Sequence, residues 1–233
     1  GDGRRVRSAV AEAAWTLEAG VLTEARLRAA GVRHCFTTSA VGDMSSPEAR
    51  AAAGLGEVLT LKQVHGATVH VAPGPEARPT GAGWVSTGPA VGVFIADCSP
   101  LLLWSGDGHV VGACHAGWRG LAAGMPEAAV KAMAAAGAKD VRAALGPLIG
   151  PCCYEVGPEF AEKFPTTSLV RKNGRLAFDQ RAEALRRLAA AGLPAERVSV
   201  YPGCTACGPT PFFSWRRDGV RRSLFSYIAP RAG

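Results

Sequence analysis

The spacing of apolar positions changes several times along the chain, and each change marks a new element. Residues 8–30 set Trp15, Leu22 and Leu27 in an alanine-rich stretch and predict a helix, interrupted at Gly20. From Gly31 a strand begins, with Val32, Cys35 and Phe36 leading into Thr37 and Thr38. Residues 39–56 are small and polar and read as a loop with a short helix at 47–53. Leu59 to Val71 alternates into a second strand region that contains Gln63 and His65. Pro73 to Gly83, with three prolines and three glycines, reads as a loop. Trp84–Val85, Val91–Ile95 and Leu101–Trp104 are apolar runs of strand length. The turn signal Ser105-Gly106-Asp107-Gly108 predicts a hairpin returning through Val110–Cys114.

Helical periodicity appears at about 118–136 and again at 179–191. In the second, Asp179 is the predicted N-cap, Leu185 and Leu188 share a face, and Gly192 stops the helix. Between them Val141–Leu145 reads as a strand running into the loop Gly146–Pro151, and short β segments follow at 197–201, 211–215 and 223–229. Strands and helices mix without strict β-α-β alternation, which predicts an α+β fold. With no internal repeat and no linker, the 233 residues fit one domain. We place that domain at 31–233, with 1–30 as an extension packed on it.

Composition narrows the classes. Apolar residues make up 48% of the chain, enough for a full core. No apolar run approaches the roughly 20 residues of a membrane helix. Gly1 to Arg7 is polar and basic and the stretch after it is too charged for a signal sequence, so a cytoplasmic protein is expected. Seven cysteines, odd in number and irregular in spacing, make a poor disulfide framework. The net charge of +7 favours anionic partners, but the basic residues are scattered and nucleic acid is not the expected ligand. The densest basic cluster is Arg216, Arg217, Arg221 and Arg222, beside Trp215.

Five histidines are present, and two sit in unusual surroundings: His65 in Leu61-Lys62-Gln63-Val64-His65-Gly66, and His115 in Gly112-Ala113-Cys114-His115-Ala116-Gly117-Trp118-Arg119-Gly120. Between them Ala96-Asp97-Cys98-Ser99-Pro100 ends an apolar strand. Imidazole and thiolate are ligands that zinc prefers, and three protein ligands leave one tetrahedral position open, as in catalytic sites. The spacings of 33 and 17 residues form no compact ligand motif. Cys98 therefore keeps a rival reading as a catalytic nucleophile with His115 as base.

The words around these residues carry more. "LKQVHGATV", "ADCSPLLL", "GACHAGWRG" and "GPLIGPCCYEVG", with Cys204-Thr205 and Phe213-Ser214-Trp215-Arg216-Arg217-Asp218, resemble the YfiH family in its own order over roughly 31–229. That family was once labelled multicopper polyphenol oxidase or laccase-domain and is now associated with purine nucleoside phosphorylase activity. The resemblance implies a layered α/β/β/α domain with mixed sheets and zinc on His65, Cys98 and His115, copper being the second choice. It further implies phosphorolysis of purine nucleosides, including methylthioadenosine, and deamination of adenosine. Laccase chemistry fails on arithmetic, because its copper set consumes far more than five histidines.

Around the metal ligands, Asp97 is read as orienting a histidine, moving protons, or bonding structurally. Arg119, at a helix start, suits an anion or a surface ion pair. His34, Lys62 and Gln63 are candidate substrate contacts, and His70 and His109 ordinary strand and turn residues. Cys152 and Cys153 are expected as core thiols, since adjacent residues do not easily face one ion. Cys204-Thr205-Ala206-Cys207 is a lone CxxC. The Gly146–Pro151 loop is expected to shape the cleft rather than cradle phosphate. One departure stands out: the family's arginine after the first strand is missing, its place held by Thr38, which predicts less phosphorolysis relative to deamination. The expected partners are purine nucleosides and phosphate, with no membrane, and the expected state is a monomer or weak homo-oligomer.

Overall fold

The computed structural model of the chain describes residues 14–74 and 78–232. Its first strands are β1 (Trp15–Glu18), β2 (Val21–Glu24), β3 (Arg33–Thr37), β4 (Lys62–Gln63), β5 (Val69–Ala72) and β6 (Thr80–Gly81). Next come β7 (Gly83–Ser86), β8 (Val91–Ile95), β9 (Ser99–Trp104), β10 (Val111–Ala116) and β11 (Arg142–Leu145). The last are β12 (Glu155–Val156), β13 (Leu169–Lys172), β14 (Arg175–Phe178), β15 (Val198–Val200) and β16 (Leu224–Ala229).

Two large sheets face one another. One is antiparallel in the order β1-β2-β3-β16-β8, and the other is mixed in the order β15-β11-β9-β10-β7-β5, with β11–β15 and β5–β7 parallel. Strand β9 shows how the sequence sorts itself between layers. Its residues alternate in direction. Leu102 and Trp104 join Phe36, Trp84 and Ile228 in the core between the sheets, whereas Leu101 and Leu103 join Met125, Met133 and Leu188 under the helices. All four are essentially fully buried. A strand buried on both faces reads as an unbroken apolar run for this reason. Truncating Leu102 or Leu103 to alanine would cost about 2–5 kcal/mol.

Helices Trp118–Ala122, Met125–Ala135 and Gln180–Ala190 cover the six-stranded sheet. On the far side, Cys35, Phe225 and Tyr227 of the five-stranded sheet pack under Met44 and the segment bearing helix Pro47–Ala52. The expected α+β class and the α/β/β/α layering are therefore both present.

Several elements differ from the pattern. Residues 15–24 are a hairpin, not a helix: Glu18 pairs with Val21, and Ala19 and Gly20 between them both take positive φ, the geometry of a tight two-residue turn. Trp15, Leu22 and Leu27 are nonetheless core residues; the predicted helix over 8–13 falls outside the described residues. Gly124, at φ 87°, splits the 118–136 helix in two. Leu59 to Val71 is two strands with a turn between them that carries His65. Residues 211–215 form no strand; helix Trp215–Asp218 follows. The β12-β14-β13 meander left no clear alternation, because much of it faces solvent. No helix is long and apolar enough to cross a membrane among the described residues.

Candidate metal centre and its cleft

Three separate devices bring the candidate ligands together. Strand β10 carries His115, whose N–H donates to Ala82 O at 2.8 Å. The turn after β4 carries His65. It is stapled to β8 by Gln63, whose amide donates to Phe94 O at 2.7 Å and accepts from Phe94 N at 2.9 Å. The turn from β8 to β9 carries Cys98, and Asp97 in that turn takes φ 80°, where an aspartate is more tolerated than most residues.

Asp97 is the anchor of this turn. Its carboxylate accepts from Thr205 Oγ1 at 2.6 Å, Ser214 Oγ at 3.0 Å and Arg216 N at 2.8 Å. Its carbonyl accepts from Gln180 Nε2 and Ile149 N. None of these bonds goes to a histidine.

The donor atoms of His65, Cys98 and His115 all lie within 4.8 Å of one another. Cys98 Sγ is 3.9 Å from His65 Nε2, and the two imidazoles stand edge to face with centroids 4.8 Å apart. Ligands at normal zinc bond lengths on a tetrahedron hold sulfur and nitrogen about 3.6 Å apart, so small side-chain motion completes the geometry. A Cβ on Gly117 would stand 2.7 Å from Cys98 Sγ and 3.1 Å from His65 Cδ2. The closeness of the ligands thus requires glycine at the start of the next helix. His115 Nδ1 is buried without a hydrogen bond of good geometry. The donor set, the cradle and this unsatisfied nitrogen fit a metal ion.

Protonation agrees. Burial lowers His115 to about 3, reinforced by the His65 ring and opposed by the Val64 carbonyl. Burial and then Arg119 lower His65. Both rings are neutral at neutral pH, the state that ligates. Burial and then the Asp97 charge push the Cys98 thiol up to about 12, against the pull of Arg119. A metal ion must therefore displace a proton from sulfur, and its affinity should rise with pH.

These residues lie in a cavity of about 790 Å³, within the usual size of small-molecule sites. Aromatic walls come from Phe94, Trp118, Tyr154 and the half-exposed Trp215. Arg78, Arg119, Arg216, Arg221 and Arg222 also line it. The Arg119 guanidinium sits 4.3 Å from the Trp118 ring centroid, and that of Arg216 5.1 Å from Tyr154. The sequence reading missed Arg78, Trp118, Tyr154 and Gln180 as cavity residues. Trp118 and Tyr154 were visible only as letters inside matched motifs, and Arg78 and Gln180 had no signal.

Lys62, Thr38 and His34 are not among the residues that line the cleft. Lys62 is exposed. Thr38 is fully buried, its hydroxyl donating to Gly20 O, so that position has no room to present an arginine to the cleft. His34 instead lines a second, smaller pocket with Arg28, Arg33 and Tyr227. Its Nε2 accepts the Glu24 N–H at 2.8 Å, and its Nδ1 lies 2.9 Å from Val32 O.

His34 has a consequence for stability. Burial holds it down to about 4, the Val32 carbonyl opposing and Arg28 adding to the fall. The unfolded chain takes up this proton near pH 6.5, while the folded chain does not until about 4. Stability is therefore complete above pH 6.5 and lost as pH falls toward 4, by on the order of 3 kcal/mol for this group. In denaturant titrations at pH 7 and 4.5, His34→Gln should show a smaller acid loss than the wild type. Equal losses would remove His34 from the account.

The other cysteines are free thiols, but not all are core. Cys35 and Cys114 are buried, whereas Cys152 and Cys207 are exposed. Adjacency did not keep Cys152 and Cys153 apart: their Sγ atoms lie within 4.8 Å of each other and of those of Cys204 and Cys207.

Residues 37–229 match the sequence profile of the family described as multi-copper polyphenol oxidoreductase laccase. A purine nucleoside phosphorylase of Aquifex aeolicus is 38% identical over 138 residues, 59% of this chain and 64% of that protein. Adenosine deaminase RL5, from an unknown prokaryotic organism, is 37% identical over 143 residues, 57% of this chain and 55% of that protein. The chain thus spans less than two thirds of either relative. The crystal structure of Bacillus licheniformis hypothetical protein YfiH superposes with a TM-score of 0.81 at 25% identity, covering 93% of this chain and 98% of that one. Outside the His65–Cys98–His115 centre, His70 contacts Thr80 O, His34 is bonded to the Glu24 N–H and His109 sits at a turn.

Proposed function

The chain belongs to the multi-copper polyphenol oxidoreductase laccase family, the YfiH family, and from that premise we propose that it is a zinc enzyme of purine nucleosides. Its reactions would be phosphorolysis, methylthioadenosine included, and hydrolytic deamination of adenosine, with residues 31–233 as the catalytic unit. The observation that carries this reading is the convergence of His65, Cys98 and His115 in a cavity walled by aromatics and arginines.

Bound zinc would supply Lewis acidity at an open coordination position. The protein's own residues do the rest. Trp118, Tyr154 and Trp215 offer flat apolar faces to a purine. Arg119 stands beside the candidate ligands, on the helix that begins at Trp118, and with the arginines of 216–222 it offers a phosphate dianion its positive partners. These arginines take the part expected of the missing one near Thr38. Gln63 and Asp97 act through their turns, holding His65 and Cys98 in place.

The rival reading of Cys98 as a nucleophile with His115 as base is disfavoured by their protonation. Burial pushes the thiol up to about 12 and the imidazole down to about 3, both away from a thiolate–imidazolium pair.

Zinc-loaded protein should convert adenosine to inosine without phosphate and release adenine when phosphate is added, as read by chromatography of the products. Absence of both products, and of adenine from methylthioadenosine, would sink the reading. Trp215→Ala should raise the adenosine KM about 10-fold with kcat nearly unchanged, because stacking on one aromatic contributes about 1–3 kcal/mol to binding a base. A drop in kcat alone would place Trp215 elsewhere in the mechanism.

A further inference from the structure

We propose that Cys152, Cys153, Cys204 and Cys207 form a second metal site, a structural tetrathiolate for a zinc-like divalent ion, with no ligand shared with the His65–Cys98–His115 centre. The four Sγ atoms lie within 4.8 Å of one another, and those of Cys152 and Cys207 are 3.4 Å apart. Four thiolates on tetrahedral zinc stand about 3.8 Å from each other, so the cluster needs only small adjustments to close on an ion.

The backbone around Cys204 suits a thiolate. Gly150 N donates to its Sγ at 3.3 Å. The turn at Cys204–Cys207 is closed by Gly208 N donating to Cys204 O at 2.9 Å, and a Cβ at Gly208 would lie 2.6 Å from that oxygen. This is a tight Cys-x-x-Cys-Gly turn. The opposite half is also a turn: Cys153 N and Tyr154 N both donate to Gly150 O, which curls the two adjacent cysteines toward the same point.

Charge fits as well. A divalent ion with four thiolates carries a net charge of −2. Arg217 Nη1 donates to Thr205 O and Ala206 O inside the turn, and Arg181 donates to Gly203 O at its entrance. Arg181 Nε is buried with no partner. Binding would release the four thiol protons to solvent with no change of oxidation state.

A metal here would tie the loop before Tyr154 to the segment before Ser214 and Arg216. Tyr154 and Arg216 both line the cleft, and Arg216 Nη1 already reaches Glu155 O at 2.8 Å. The ion would thus brace one cleft wall from outside it.

Elemental analysis of protein purified with a reductant tests this. The wild type should hold two zinc ions per chain. His65→Ala/His115→Ala should keep one, as should Cys204→Ser/Cys207→Ser. If the cysteine variant fails to fold, cobalt exchange into the histidine variant decides: a tetrathiolate gives intense sulfur-to-cobalt charge-transfer absorption. A histidine variant with no metal, no such absorption and four freely reactive thiols overturns the proposal. So does a Cys152–Cys207 disulfide, read as a mass loss of two hydrogens, that persists when zinc and reductant are supplied.

Discussion

Replacing His115 with alanine, or Cys98 with serine, is expected to remove the metal of the His65–Cys98–His115 centre and to lower kcat/KM by at least about 1000-fold, about 4 kcal/mol of transition-state stabilisation. A hydroxyl is a far weaker zinc ligand than a thiolate, so serine does not substitute although it nearly conserves volume. His115 is 3% exposed near the end of β10, where alanine leaves a small cavity. The variants should therefore stay folded, and metal content and activity should fall together. If Cys98→Ser keeps the metal and loses only activity, Cys98 is a nucleophile and not a ligand. If both variants keep metal and turnover, the centre is misassigned.

Asp97→Ala should be the most damaging change among the residues that touch no candidate metal donor. It deletes three acceptor contacts, leaving the Thr205 and Ser214 hydroxyls and the Arg216 N–H without their partner. It also places alanine at φ 80°, which costs about 1–2 kcal/mol in itself. Together with about one to three kcal/mol for each stranded buried donor, a loss of at least about 4 kcal/mol follows. In a chain this size that lowers the melting temperature by roughly 10 °C. Displacement of Cys98 and Arg216 should reduce kcat/KM by about 100-fold besides. Asp97→Asn distinguishes positioning from proton transfer. Asparagine tolerates the backbone and keeps one acceptor oxygen, but turns an amide toward the Arg216 N–H. It should fall between the wild type and alanine in both stability and rate. An asparagine variant as inactive as alanine, yet fully stable, would make Asp97 a proton carrier.

The family's arginine after the first strand is absent from this chain, and Thr38 holds its place. Thr38 is buried against Gly20, and the arginines that line the cleft are Arg78, Arg119, Arg216, Arg221 and Arg222.

The sequence by itself pointed to the α+β class, most strand positions from Trp84 to Leu145 and the capped helix at 179–191, while the layering and the three candidate ligands came with the resemblance to the YfiH family. The class, the strands and the helix rest on short-range physics: a period of two or 3.6, a turn signal and an N-cap aspartate. Only the tertiary structure decided the rest. The 15–24 hairpin formed because two edge strands could add to β3 and bury Trp15 and Leu22, which overrode a helical alanine pattern. The role of Asp97 depended on partners 108 and 117 residues away, and the burial of His34 on Glu24 and the sheet around it. The four-cysteine cluster joins two turns that are 54 residues apart where Gly150 meets Cys204. Side-chain pairings across such separations leave no periodic trace in one chain, since any intervening loop length is compatible with the same contact.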